Sequence, residues 1–404
     1  MTTFGSLWAS LLPIGRDPAT GGYRRFCLTP AELECRAWFE TQAAERQLRV
    51  HADGNGNLFA WWDVPGGAPA VATGSHLDSV PDGGAFDGPL GVVSAFAAID
   101  ELRAAGFQPA RPIVVAAFAE EEGGRFGVAC LGSRLLTGAI DPDTARGLRD
   151  GDGITFAEAM QTAGCDPARV GPDEDLLGRI ATYVELHIEQ GRALADLDAA
   201  VGLAEGIWPH GRWRLDFTGR ADHAGTARLA DRADPMLPYA HTVLAARQAA
   251  TELGTLATIG KVRAEPGAAN AVSSSVQAWL DVRAAGTSQL DATVDQVLTA
   301  AREAAESRSV AFGWKRESVT PAVSFDAGLR ERLAKALAGQ GIAAPVLPTG
   351  AGHDAGILAA RLPTAMLFVR NPTGVSHSPA EHAEPADCAA GVTALAAVLR
   401  ELAG

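Results

Sequence analysis

Cysteine is sparse in this 404-residue sequence, and the few present do not group. Cys27, Cys35, Cys130, Cys165 and Cys388 are odd in number, widely spaced and without a CxxC pair. The pattern argues against a zinc–thiolate site and reads as reduced, mostly buried thiols in a cytoplasmic protein. Positive charge is short as well: 34 Lys and Arg against 48 Asp and Glu leave a formal −14. That balance repels phosphate backbones and anionic lipid surfaces, so neither nucleic acid nor membrane is expected as a partner. An anionic substrate would need locally placed arginines. No apolar run approaches the roughly 20 residues that a bilayer requires. A secretory leader is not expected at the start either, because Arg16 and Asp17 interrupt it before an apolar segment develops.

What is present is globular material, with 47% hydrophobic and 20% charged residues. The length exceeds one ordinary core, and two domains are expected. Short β-branched runs at Ala70–Thr73, Ile113–Phe118, Ala181–Leu186 and Thr364–Val369 alternate with helical segments. In Gly91–Ala105, for example, Val92, Phe96, Ile99 and Leu102 recur at helical spacing. This alternation predicts an α/β fold with a mainly parallel sheet. Between about Pro209 and Val319 the pattern changes. Strand-like runs at Trp213–Phe217, Leu256–Val262 and Val276–Val282 alternate apolar with polar residues, around helical stretches at Pro235–Leu253 and Gln289–Glu306. Such alternation suits an antiparallel sheet with one solvated face. The expected organisation is a first domain over 1–208 and 320–404, interrupted by a smaller α+β domain over 209–319.

Five clusters carry the candidate chemistry: Gly74-Ser75-His76-Leu77-Asp78, Gly84-Ala85-Phe86-Asp87-Gly88, Glu120-Glu121-Glu122-Gly123, His187-Ile188-Glu189-Gln190-Gly191 and Ser376-His377-Ser378-Pro379. Four of them follow an apolar strand run within a few residues, and in open α/β sheets ligands gather beyond the carboxyl ends of strands. Imidazole and carboxylate are the donors expected for Zn²⁺ or Mn²⁺. Three histidines and two carboxylates can serve two metals if one carboxylate bridges them. Asp87, flanked by glycines, is the best bridge candidate. Asp78, two residues past His76 on an extended backbone, can hold the imidazole by its other nitrogen. Of the adjacent Glu121 and Glu122, one can ligate while Glu121 stays free to take a proton from water and return it to a leaving nitrogen.

Singly, these residues read differently. A lone histidine is ordinary structure, and three consecutive glutamates are ordinarily a solvated charge run. Order and placement at strand ends give the set its meaning. Gly350, Gly352 and Ala355 fit G-x-G-x-x-A, but no ribose-binding acid follows in a βαβ unit, and a dinucleotide site is rejected. His51, His210 and His241 have no motif context and read as structural.

Together the clusters resemble the hydantoinase/carbamoylase branch of the M20 metallopeptidase-like family, which includes N-carbamoyl-L-amino-acid hydrolases, β-ureidopropionases and allantoate amidohydrolases. The resemblance runs from Gly54-Asn55-Gly56-Asn57-Leu58 to the helix after Pro385. It takes in Asp222-His223-Ala224-Gly225-Thr226, Arg232-Ala233-Asp234, Asn270-Ala271-Val272, Asp281-Val282-Arg283 and Gly350-Ala351-Gly352-His353-Asp354. It implies a metallopeptidase-like catalytic domain with an inserted lid that mediates homodimerisation. It places His76 and Glu122 on separate metals bridged by Asp87, with His187 and His377 completing the two spheres and Glu121 as the base. Zn²⁺ or Mn²⁺, or else Co²⁺ or Ni²⁺, would fill the site. His223 from the partner's lid would stabilise the oxyanion; Gln190, Asn270, Arg283, Gly352 and His353 would contact the substrate. The implied reaction cleaves the ureido bond of an N-carbamoyl-L-amino acid, with allantoate or N-carbamoyl-β-alanine as alternative substrates and a dipeptidase or aminoacylase activity less favoured. The sequence departs from the family at Ala227-Arg228-Leu229, where Thr-Pro-Met is usual. It departs again at Arg192, Arg370 and His382.

Overall fold

A computed structural model describes residues 3–404. The chain separates into two compact units. The first runs to Gly206 and resumes at Ser324; the second is Ile207–Val323.

The first unit is built on a nine-stranded sheet, seven of whose strands follow the spatial order Arg49–Ala52, Leu58–Trp62, Ile113–Phe118, Ala70–His76, Ile180–Ile188, Thr364–Val369 and Val201–Ile207, with the short Val346–Thr349 and Val323–Ser324 beyond them. The four from Ile113–Phe118 to Thr364–Val369 are parallel, with antiparallel neighbours outside them. Every residue of Ala70–His76, Ile113–Phe118 and Thr364–Val369 is buried. Parallel strands covered on both faces require such continuous apolar runs. The cover on one side includes the Pro89–Ala104 and Pro385–Ala403 helices, whose Phe96, Leu102, Leu395 and Leu399 share a core with Val115, Leu186 and Leu367. Proline in the first turn of both helices supplies the fixed φ that a helix start wants.

The Ala70 strand extends three residues beyond its apolar run. Ser75 and His76 pair with Ala117 and Phe118, so the polar stretch Gly74-Ser75-His76 is still sheet. Gly74 (φ +149) permits this because a Cβ there would overlap the Ala116 carbonyl. His76 is thereby placed at a strand end and buried.

In the second unit four antiparallel strands follow the order Ala311–Thr320, His210–Thr218, Ser275–Arg283 and Leu256–Glu265. Trp213, Leu215 and Phe217 with Val276, Ala278, Leu280 and Val282 point to one face and pack on Ala246, Leu290, Val294 and Val297. Those partners lie on the Met236–Leu253 and Thr287–Glu306 helices. The other face carries Arg212, Arg214, Trp279, Asp281 and Arg283. Ala311–Thr320, which the sequence pattern did not reveal, is an edge strand exposed along almost its whole length. With so little burial it had no apolar period to show.

Candidate metal centre

Strand ends and the loops beyond them in the first unit bring the five candidate ligands together. Oδ1 of Asp87 lies 3.5 Å from His76 Nε2 and 3.2 Å from His187 Nε2. Its Oδ2 lies 3.5 Å from His377 Nε2, which is in turn 3.5 Å from Glu122 Oε2. Two groups therefore meet at one carboxylate, His76/Asp87/His187 and Asp87/Glu122/His377, the donor atoms of each within 4.8 Å of one another. His187 Nδ1 is 2.8 Å from the Ile188 carbonyl and His76 Nδ1 is 3.2 Å from that of Asp78. A carbonyl only accepts, so each Nδ1 donates its proton and each Nε2 faces the centre. There both Nε2 atoms are buried without a hydrogen bond. An unmet buried polar atom costs about 1–3 kcal/mol, and a cation shared with Asp87 would satisfy both.

The electrostatics ask for positive charge at the same spot. Burial pulls the His76 imidazolium down, but Glu121, Asp78 and Asp87 outweigh it and hold it well above the ordinary range. Burial pushes the Asp87 carboxyl up, and the His187 and His76 imidazoles close to it bring it well below the usual carboxylate range. Glu122 is raised to about 8, by burial first and then by Asp87. The donor set and its unmet atoms fit two divalent cations sharing Asp87.

The supports of this centre are mostly backbone contacts. Asp78 accepts the Glu121 and Glu122 N–H groups at 3.2 and 3.1 Å while its Oδ1 stands 3.5 Å from His76 Nδ1. It thus fixes the glutamate loop as well as the imidazole. Glu120, at φ +53, turns its buried carboxylate back to the Arg125 and Phe126 N–H groups. Glu121 is left between them, 6% exposed, with Oε2 3.6 Å from His76 Nε2. Burial is the main reason its carboxyl is raised well above the ordinary value; Asp354, Glu122 and Asp78 add to it against His76. Gly88 (φ +86) abuts the His76 ring so closely that a Cβ would overlap it.

Gln190 donates to Asp87 Oδ2 at 2.7 Å. His353 packs edge-on to His187 with ring centroids 4.5 Å apart, and Gly352 beside it is exposed. Three buried or half-buried groups at the centre had no role assigned from sequence, although Ser376 stood in one of the clusters. Glu185 accepts from Ser75 Oγ at 2.8 Å and from Ala355 N–H at 2.9 Å. Ser376 Oγ lies 3.2 Å from Asp87 Oδ2. Glu381 accepts the Phe86 and Asp87 N–H groups at 2.8 and 3.0 Å. Only its spacing, four residues past His377, could have drawn attention to Glu381.

His223, Asn270 and Arg283 belong to the second unit. His223 is exposed in a two-residue strand paired with Ala271–Val272, and its Nδ1 accepts the Gly225 N–H at 3.0 Å. The Asn270 carbonyl accepts the Ala224 N–H at 3.0 Å, which ties the His223 turn to the Asn270 loop. Arg283 Nε donates to Asp281 at 3.0 Å. Of the departures from the family pattern, Arg370 is engaged by both oxygens of Asp387 at 2.8 Å each and by Asp198 at 3.0 Å. Arg192 is exposed beside Asp196, and His382 stands edge-on to Phe86.

Residues 72–401 match peptidase family M20/M25/M40. The chain is 35% identical over 402 residues to an N-carbamoyl-L-amino acid amidohydrolase of Geobacillus stearothermophilus, covering 98% of each chain. It is 32% identical to an allantoate amidohydrolase of Escherichia coli, covering 97% and 96%. Among solved structures it is similar to a hydantoinase/carbamoylase family amidase from Burkholderia ambifaria. That match has a TM-score of 0.84 and 33% identity and covers 100% of this chain and 98% of that one.

Proposed function

Because the chain belongs to peptidase family M20/M25/M40, as a hydrolase of carbon–nitrogen bonds other than peptide bonds, we propose that it cleaves the carbamoyl group from an N-carbamoyl-L-amino acid. The products are the amino acid, ammonia and carbon dioxide. The observation that carries this reading is the Asp87 carboxylate shared between the His76/His187 pair and the Glu122/His377 pair. These five side chains would hold two divalent ions, Zn²⁺ or Mn²⁺ with Co²⁺ or Ni²⁺ as substitutes. Such ions supply Lewis acidity to the attacking water and the ureido carbonyl.

Glu121 takes the water's proton at Oε2 and passes it to the leaving nitrogen, a task suited to a carboxyl kept basic by burial. Asp78 holds the backbone from which Glu121 and Glu122 project. Gln190, Gly352 and His353 contact the amide end of the substrate, while Asn270 and Arg283 bind its carboxylate, a group that a guanidinium fork matches. The second unit acts as the lid of a homodimer, in which the partner's His223 stabilises the oxyanion. The scattered free cysteines support a cytoplasmic location. Among the described residues no helix is long and apolar enough to cross a membrane.

Allantoate is an equally supported substrate, since relatives of both kinds match nearly the full chain. The experiment is to strip the metal, reload with Zn²⁺, Mn²⁺, Co²⁺ or Ni²⁺, and measure ammonia release from N-carbamoyl amino acids, N-carbamoyl-β-alanine and allantoate. Activity is expected only after reloading and only on ureido acids. Turnover by metal-free protein, or cleavage of dipeptides alone, overturns the proposal.

A further inference from the structure

Asp87 and His377 lie in two loops, 290 residues apart in the chain, and neither is held at its position by sheet pairing. Glu381 joins them. Its Oε2 accepts consecutive N–H groups, Phe86 at 2.8 Å and Asp87 at 3.0 Å, and its Oε1 is 3.4 Å from Ser376 Oγ in the His377 loop. Its own N–H donates to the Ser378 carbonyl at 3.0 Å, and the side chain is 5% exposed. Gly84 lies flat against it, since a Cβ there would overlap the Glu381 carboxylate and Cβ. Phe86, stacked on Trp8 at 4.7 Å, braces the same turn from outside.

Ser376 adds a second element. Its single hydroxyl proton can go to Asp87 Oδ2 at 3.2 Å or to Glu381 Oε1 at 3.4 Å, one at a time. Asp87 Oδ2 also accepts from Gln190 at 2.7 Å and faces His377 at 3.5 Å. If that oxygen is to serve a cation, the serine proton needs another acceptor, and Glu381 is the one within reach.

We propose that Glu381 is a positioning residue: it locks the Asp87 turn to the His377 loop and takes up the Ser376 proton, leaving Asp87 Oδ2 to the metal. The proposal rests on Asp87 and His377 being ligands, but not on the identity of the substrate. In Glu381→Gln the amide oxygen can still accept the two backbone N–H groups while its NH₂ turns to Ser376, so the serine proton stays on Asp87. A purely structural glutamate would tolerate this isosteric change. A positioning one would not: chelator competition should show the weaker-held ion binding about 10–100-fold less tightly, the range typical of groups that orient metal ligands. kcat should fall with it, and KM should change little. Adding Ser376→Ala to Glu381→Gln should recover most of the lost affinity. Parent affinity for both ions in Glu381→Gln, or no recovery in the double variant, overturns the proposal. Should Glu381→Gln fail to fold, Glu381→Asp keeps the charge but loses reach, and the same loss of affinity is expected; unchanged affinity there overturns it equally. Metal titration needs no turnover, so a protein inactive on every ureido acid would defeat the functional reading and leave this test standing.

Discussion

Glu121 is the side chain on which two assignments meet, since a neighbouring glutamate could ligate in its place. Its Oε2 lies 3.6 Å from His76 Nε2, whereas Glu122 Oε2 lies 3.5 Å from His377 in the group that shares Asp87. Glu121→Gln keeps the shape and the Cys130 contact at Oε1 and removes the base. Its kcat should drop by about 10²–10⁴, the usual worth of general-base catalysis, with two metals still bound. A fully active variant refutes the assignment, and loss of a metal would make Glu121 a ligand. The ligand candidates were legible in sequence because histidine and acid at the end of an apolar run are rare without a cause. Glu381, Glu120 and the second role of Asp78 were not, because their partners are backbone N–H groups, which leave no mark on the identity of the partner residue. Arg370 stood out in sequence yet proves to be an ion-paired brace for the last helix.

At the scale of elements, the centre depends on loops that follow neighbouring strands. The loop after Ala70–His76 supplies Asp78, and the loop after Ile113–Phe118 supplies the two N–H groups it accepts. The strands are adjacent and parallel, so their carboxyl ends deliver both loops to the same edge. Asp78→Ala should loosen the glutamate loop and free His76 Nδ1 from its nearby carboxylate. We expect kcat to fall about 10–100-fold, with weaker metal binding and a lower Tm in the loaded protein; normal kinetics with only a Tm change would reduce Asp78 to a structural part. The strand interiors could be read from sequence, but this junction could not. An apolar criterion stops the first strand at Thr73, whereas pairing carries it to His76 through a glycine that no larger residue could replace. Pattern reading thus finds where side chains are buried in fat, and misses where polar ones are buried in hydrogen bonds.

Across the whole molecule the charge is divided unevenly. Residues 207–323 hold 13 Arg and Lys against 12 Asp and Glu, so the net −14 falls entirely on the first unit, as −15. That unit also buries the acids of the centre. In the metal-free protein Glu122 is raised to about 8, by burial and then by Asp87, and Glu381 to about 7 for the same two reasons. A carboxyl whose folded pKa exceeds its ordinary value binds its proton more tightly when folded. Its contribution to stability is complete below pH 4.5 and is lost as pH rises through the folded value near 8. Divalent ions act in the opposite sense, since they bind the deprotonated carboxylates and favour the folded state by mass action. The Tm difference between loaded and stripped protein should therefore widen from about pH 4.5 to about pH 8. Differential scanning calorimetry of both forms across that window, at fixed free metal, measures it. A difference that stays constant or narrows would mean that the buried acids do not titrate against the metal, and the shared-carboxylate centre would lose its electrostatic basis.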